Sequence, residues 1–169
     1  MQNYCSKYFH INKYLSMSYH QGDLCLKPIK ERMSDWKTYI NSILKDMNVE
    51  DAAIVGHADN KSSWASKPGG VLAAISPQEV SMLTGQDRKA FLQTGINIAG
   101  KKCSVIRDNL MVNNDEVMDV RMKGSQGKSI CIGKTIKIMV FVTGKKGVHG
   151  GALNKKVHEV AKYLKQRGI

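Results

Sequence analysis

The sequence lacks long apolar runs, closely spaced cysteine pairs and the usual marks of protein export. It contains no apolar run of about 18 residues, the length that a membrane-spanning helix needs. The N-terminus has neither the apolar stretch of a secretory signal nor the arginine content of a mitochondrial transit peptide. The four cysteines are far apart and form no CxxC pair, which favours reduced intracellular thiols over disulfides or zinc.

Signatures of catalysis are also missing. The five histidines have no metal-ligand spacing, and no serine lies in a G-x-S-x-G elbow. The glycine-rich segment Gly144–Gly151 superficially suggests a phosphate loop, but it lacks the G-K-[S/T] ending of a Walker loop. We therefore expect a binding module without a cofactor or metal, rather than an enzyme. The alternative from this loop is a small enzyme in which Gly144–Gly151 binds a phosphate-containing ligand.

Acidic residues are scarce, especially in the last third of the chain. The sequence has 26 Lys and Arg against 14 Asp and Glu, a net charge of +12. From Arg121 onward, the chain contains twelve Lys and Arg residues and a single acidic residue, Glu159. A solvated basic surface would explain this composition. An acidic partner would explain it too, as a protein face, a phosphoinositide headgroup or nucleic acid.

The first 32 residues differ from the rest. They hold four of the six tyrosines, show no clear period and end near a Lys27-Pro28 break. Ser34 is a good N-cap for a helix that would begin directly after it. We expect residues 1–32 to be a disordered or loosely held extension, of the kind that an upstream alternative translation start would add, and residues 33–169 to form one domain. A short packed helix around residues 11–19 is the alternative.

Two amphipathic helices are predicted at the two ends of that domain, each with apolar residues at i, i+4, i+7, i+8 and i+11. Gly150 and Gly151 allow a sharp turn before the second helix. The first stripe is Trp36, Ile40, Ile43, Leu44 and Met47, and the second is Leu153, Val157, Val160, Ala161 and Leu164.

The region between the helices is mostly β. A short strand at 51–57 pairs with 62–66 around a turn at 59–60, and Ser76-Pro77-Gln78-Glu79 starts a short helix. Hairpins without βαβ spacing predict an antiparallel meander, and both terminal helices are most simply laid on one sheet face. The predicted fold class is therefore α+β. Its later strands are expected at 96–99, 102–107, 115–123, 129–134 and 136–143.

Four aromatic side chains would meet in such a fold: Trp36, Tyr39, Trp64 and Tyr163. Ordinary core packing is one interpretation, since large aromatic residues are mostly buried. The other is an exposed groove of flat rings, which binds polyproline II segments because such ligands are already extended. The residues alone leave both interpretations open.

Several motifs together resemble the profilin family. They include Trp36-x-x-Tyr39, DAAIVG at 51–56, MDVRMK at 118–123 and GKKGVHGGALNKK at 144–156. The resemblance covers essentially all of 33–169, and within the family it is strongest to the vertebrate testis-type isoforms, usually numbered third. It implies a central antiparallel sheet with both terminal helices on one face.

The same resemblance implies a function. The resemblance implies a monomeric protein that binds actin monomers and regulates actin polymerisation. Its expected location is the cytoplasm and cytoskeleton, and also the nucleus. The resemblance also implies binding to proline-rich proteins and phosphoinositides, with no specific nucleic acid as partner. The alternative is a basic membrane-surface or nucleic-acid-binding module with weakened actin binding, which would bind with a steep salt dependence.

The resemblance also assigns site residues. The polyproline groove would use Trp36, Tyr39, Trp64 and Tyr163; Ile169 stands where the family has a terminal Tyr, so we expect weaker binding of proline-rich ligands. Lipid and actin should compete, because their residues overlap. Actin binding is implied for Lys102, Ser104, Arg107, Arg121, Lys123, His149, Gly151, Asn154, Lys155 and Glu159, and phosphoinositide binding for Lys102, Arg121, Lys123 and Lys165.

Overall fold

A computed structural model describes residues 29–58, 61–124 and 127–169, with side chains from residue 35 onward. Residues 1–28 of the extension predicted over 1–32, and the predicted turn at 59–60, lie outside the described residues, whereas residues 29–32 are helical. The helices are α1 (Ile29–Leu44), α2 (Pro77–Leu83), α3 (Lys89–Thr94) and α4 (Gly150–Lys165), with a 3₁₀ turn at Val71–Ala74. The strands are β1 (Val49–Gly56), β2 (Ser63–Ser66), β3 (Ile96–Ile98), β4 (Lys101–Asp108), β5 (Val117–Met122), β6 (Ser129–Lys134) and β7 (Ile138–Gly144).

Helix α1 differs from its prediction at both ends. It already includes Ile29, so Ser34 lies inside the helix and does not cap it. Residues 29–33 (IKERM) contain no helix breaker, and Lys, Glu, Arg and Met are good helix formers. At the other end the helix stops at Leu44, which leaves Met47 84% exposed instead of on the apolar stripe.

The seven strands form one antiparallel sheet in the order β2-β1-β7-β6-β5-β4-β3. Strands β3 to β7 follow one another as a meander, as the hairpin spacing predicted. The meander is completed by the pairing of β7 with β1, for example Phe141 with Ala53. This pairing brings α1, which lies over β1 and β2, next to α4, which lies over β5, β6 and β7.

The sheet is buried on both faces. Along β7, Val140 and Val142 pack in the cluster that contains α1 and α4, while Met139 and Phe141 pack in the opposite cluster. The alternation follows from the two-residue period of a strand. Both terminal helices therefore lie on one sheet face, and the α+β prediction is confirmed.

The other face is covered by the two short helices and the 3₁₀ turn. Helix α2 begins with the predicted capping box, in which the Ser76 hydroxyl accepts from the Glu79 N–H and the Glu79 carboxylate accepts from the Ser76 N–H. The same carboxylate accepts from the N–H groups of Ala99 and Gly100, which ties α2 to the β3–β4 turn. This second layer covers the sheet face opposite α1 and α4.

Gly133 sets how closely α4 approaches the sheet. A Cβ atom at this position would lie 2.5 Å from Val157 Cγ1, in the middle of α4. A side chain there would push the helix away. The position of α4, and of every side chain that it presents, thus depends on this glycine.

Candidate functional site

Four aromatic rings from three elements form a row, which we call the aromatic shelf (Trp36, Tyr39, Trp64 and Tyr163). The ring centroids of Tyr163 and Tyr39 are 6.4 Å apart, those of Tyr39 and Trp36 5.4 Å, and those of Trp36 and Trp64 5.2 Å. Such spacings are favourable for tilted and edge-to-face aromatic pairs. Helices α1 and α4 and strand β2 each contribute, so the predicted convergence of these side chains is found.

The shelf combines the two interpretations that the sequence left open. Trp36 is only 6% exposed and belongs to the core between the helices and the sheet. The other three rings pack on that core but are half-buried. Burial, with the neighbouring Tyr163 as a smaller cause, raises the pKa of Tyr39 to about 12. The shelf is thus a partly desolvated apolar surface on a buried floor.

The C-terminal residues close one end of the shelf. The Arg167 guanidinium carbon lies 4.4 Å from the centroid of the Tyr163 ring. Ile169 is 9% exposed and packs in the same core cluster as Trp36, while its carbonyl accepts from the Ile136 N–H. Ile169 therefore adds no ring to the shelf.

Asp119 is the centre of a second, polar surface on the other flank of α4. Its carboxylate accepts from the Asn154 side-chain amide at 3.0 and 3.2 Å and from Arg107 Nε at 3.1 Å. Asn154 is on α4 and Arg107 on β4, so Asp119 joins the helix to the strand. We call this surface the β4–β5 face, made of Lys102, Ser104, Arg107, Asp119, Arg121 and Lys123.

Three exposed cations extend this face beyond α4. Ser104 pairs in register with Arg121, and the Lys123 N–H donates to the Lys102 carbonyl at 2.8 Å. Side chains directly opposite each other in an antiparallel pair point to the same side. Lys102, Arg121 and Lys123 are exposed, so the structure brings together this part of the predicted actin and phosphoinositide sites.

Lys165 is not part of this cluster. It forms an ion pair with Glu116 at the start of β5, near the C-terminal end of α4, and burial lowers its pKa. Lys123 lies seven residues after Glu116, a separation of roughly 23 Å at the rise of an extended strand. The structure thus separates Lys165 from the three cations with which the phosphoinositide prediction grouped it.

The residues predicted on and before α4 lie on different sides of the helix. His149 occupies the N-cap position without a side-chain capping bond, and Gly151 and Lys155 are exposed. Asn154 faces Asp119, but Glu159 lies about 140° further round an α-helix. Glu159 is therefore not on the flank that joins the β4–β5 face.

Two residues of these surfaces were missed by sequence reasoning. Asp119 lies on the same sheet face as Val117 and Arg121, and an acid within a predicted strand, where Asp is depleted, was a usable signal. Arg167 follows the last turn of α4, and in the sequence it is one of many basic residues without a distinguishing pattern. Nothing local to the sequence shows that its side chain returns over Tyr163.

The described residues offer no group of three or more His, Cys, Asp or Glu side chains placed to hold a metal ion. Within that same part of the chain, no helix combines the length and the apolar character of a membrane span.

A one-sheet α+β fold, an aromatic shelf between its terminal helices and a separate polar face define a class of small two-surface binding modules. The family model described as Profilin matches residues 34–169. The chain belongs to the profilin family, as the sequence motifs predicted.

Relatives and solved structures agree with this assignment. Rat profilin-3 is 53% identical over 135 residues, which cover 80% of this chain and 98% of that protein; human profilin-3 is 52% identical over 136 residues, 80% and 99% respectively. The crystal structure of rat profilin 2a superposes with a TM-score of 0.78 at 44% identity, covering 81% of this chain and 99% of that one. Mouse profilin IIa in complex with a double repeat from the FH1 domain of mDia1 gives 0.77 at 44% identity, covering 79% and 99%.

Proposed function

We propose that this protein binds actin monomers and regulates their polymerisation, while also binding proline-rich segments and phosphoinositides, and that it performs no chemistry of its own. The observation that carries the proposal is the double role of α4. One flank presents Tyr163 to the aromatic shelf, and the other presents Asn154 to Asp119 of the β4–β5 face. One rigid helix thus supports two separate surfaces.

The aromatic shelf suits a polyproline II ligand. Its rings follow one another at 5.2 to 6.4 Å, and polyproline II rises about 3.1 Å per residue, so each ring would meet about two residues. Tyr hydroxyl and Trp N–H groups can also donate to the ligand's carbonyls. The structure of mouse profilin IIa in complex with a double repeat from the FH1 domain of mDia1 supports this assignment by similarity.

The β4–β5 face suits binding to an acidic protein surface, and we propose that this surface belongs to actin. Lys102, Arg121 and Lys123 are exposed cations, and Asp119 holds Arg107 and Asn154 in fixed positions. Fixed polar groups beside exposed cations give orientation as well as attraction. We propose that His149, Gly151 and Lys155, at the start of α4, extend this surface.

Phosphoinositide binding is proposed on the same three exposed cations. Each Lys or Arg near an anionic lipid surface contributes about 1 kcal/mol. Lys165 adds little to it, since it is paired with Glu116 at the far end of α4. Because the cations are shared, lipid and actin are expected to compete.

Decaproline titration tests the shelf. Both tryptophans of the chain belong to it, so a saturable change of tryptophan emission reports binding there. Tyr163→Ala should weaken binding, whereas Arg121→Gln, on the β4–β5 face, should leave it unchanged. No emission change in the unaltered protein would contradict the shelf as a polyproline site.

Actin-monomer titration tests the β4–β5 face. Arg121→Gln combined with Lys123→Gln should lower the affinity, while Lys37→Gln, at an exposed position of α1, should not. Binding weaker than tens of micromolar, a free energy of roughly 6 kcal/mol, would contradict the proposal.

A basic membrane-surface or nucleic-acid-binding module is the second candidate, and the three exposed cations favour it. It predicts anion binding that falls steeply with salt and shows little partner specificity.

A further inference from the structure

We propose that Arg167 is a specificity-determining residue that makes the aromatic shelf prefer proline-rich segments flanked by an acidic residue. This inference rests on the proposed polyproline function. It adds to that function a choice among proline-rich ligands, which flat rings alone would not provide.

The guanidinium of Arg167 is placed at the Tyr163 end of the shelf. Its carbon atom lies 4.4 Å from the Tyr163 centroid, a distance that allows a cation–π contact. Its charge also reaches Tyr39, the next ring in the row, where it lowers the phenol pKa against the larger effect of burial. A cation thus stands beside the path that a bound segment would follow.

The backbone around Arg167 is held in place. The N–H groups of Arg167 and Ile169 both donate to the Leu164 carbonyl, at 3.0 and 3.2 Å, and Ile169 is buried against the core. Arg167 itself is exposed. The residue therefore projects from an anchored turn, and its stacking on Tyr163 limits where the guanidinium can go.

The edge of the guanidinium is available to a ligand. Among the described residues, no carboxylate forms an ion pair with Arg167; the ion pair at this end of α4 is between Lys165 and Glu116. The charge of Asp35, on α1, raises the pKa of Tyr39. A stacked guanidinium keeps its in-plane N–H donors, which bind a carboxylate in a bidentate manner.

The occupant is therefore a polyproline II segment with Asp or Glu next to its prolines. The segment has no charge of its own along the proline run, so the rings bind it without regard to flanking residues. A carboxylate that reaches Arg167 adds an exposed ion pair, which corresponds to about a two- to five-fold gain in affinity. The gain should shrink at high salt.

Calorimetric titration of the full chain with two capped peptides tests the inference. The probes are decaproline with one glutamate at each end and its neutral counterpart with one glutamine at each end, measured at low salt and at high salt. We expect the acidic peptide to bind about two- to five-fold tighter at low salt, and Arg167→Gln to remove that difference. Lys146→Gln, the loss of one positive charge at an exposed position before α4, should preserve it.

The outcomes separate this inference from the proposed function. If neither peptide binds, the polyproline function fails and the inference fails with it. If both peptides bind equally to the unaltered protein, or if Arg167→Gln keeps the preference, the shelf is a polyproline site but Arg167 does not select acidic flanks. Circular dichroism of each variant checks that the fold is retained.

Discussion

The two surfaces that share α4 are built from opposite kinds of interaction. In the aromatic shelf, rings touch rings above a buried floor, Trp36. On the β4–β5 face, a carboxylate joins two polar side chains and three cations remain exposed. The shelf is thus held by packing, and the polar face by charge and hydrogen bonds.

This difference decides how each surface responds to change. Packing of rings depends little on salt, whereas exposed charge is screened beyond about 8 to 10 Å at ordinary ionic strength. Truncating a buried ring creates a cavity, while removing an exposed cation barely affects stability. Damage to the shelf should therefore appear as unfolding, and damage to the polar face as lost affinity.

The largest effect is expected from Trp36→Ala. The substitution empties a buried site between Tyr39 and Trp64 and should lower the free energy of unfolding by about 3 kcal/mol or more. Urea unfolding measures the loss, with Trp64→Ala, a half-buried shelf ring, as the milder comparison. A loss below about 1 kcal/mol for Trp36→Ala would mean that Trp36 is not the floor of the shelf.

Gly133→Ala should affect both surfaces together. The added methyl group collides with Val157, so α4 must shift at a cost of about 1 to 3 kcal/mol. Decaproline and actin affinities should both fall. Gly150→Ala is the matched control, because a Cβ there meets nothing within 4 Å. Loss of one affinity alone would show that the surfaces do not share α4 as a support.

Asp119→Ala should separate the surfaces. It removes the acceptor of Asn154 and Arg107, which should lower stability by about 1 kcal/mol and weaken actin binding, while decaproline binding stays unchanged. Asp46→Ala, the removal of another partly buried acid in the α1–β1 turn, serves as the control. Unchanged actin affinity would remove Asp119 from the proposed site.

Tyr39→Phe should give the smallest effect, visible only in alkali. The pKa of Tyr39 is about 12 against an ordinary value of 10.0, so its burial contributes stability below pH 10 that is lost as the pH rises toward 12. The unaltered protein should lose about 1 kcal/mol relative to Tyr39→Phe near pH 11, one pH unit above the ordinary pKa. Parallel unfolding curves at pH 8 and pH 11 measure this, and an equal pH dependence would contradict the raised pKa.

Local signals in the sequence predicted most of the fold. The Ser76–Glu79 capping box and the period of α4 both act over a few residues, and each was found as expected. The start of α1 was missed, because Ser34 can cap a helix but does not have to. Met47 was misplaced because the helical stripe continued past the actual end at Leu44.

The site was predicted less completely because it depends on distant pairing. The aromatic shelf follows from both terminal helices lying on one sheet face, which the family resemblance implied, and from β7 pairing with β1, which no sequence signal indicated. By contrast, Lys165 binds Glu116 and Asp119 binds Asn154 across dozens of residues, and no periodicity encodes such contacts. Arg167 stacking on Tyr163 depends on the chain's path after α4, which short-range patterns leave undetermined.

Simultaneous binding tests the central claim most directly. Actin monomers are titrated into the protein with and without saturating decaproline, and complex formation is followed by analytical sedimentation. Two surfaces on opposite flanks of α4 predict the same actin affinity in both titrations and a ternary complex. Displacement of decaproline by actin would show that one surface binds both partners.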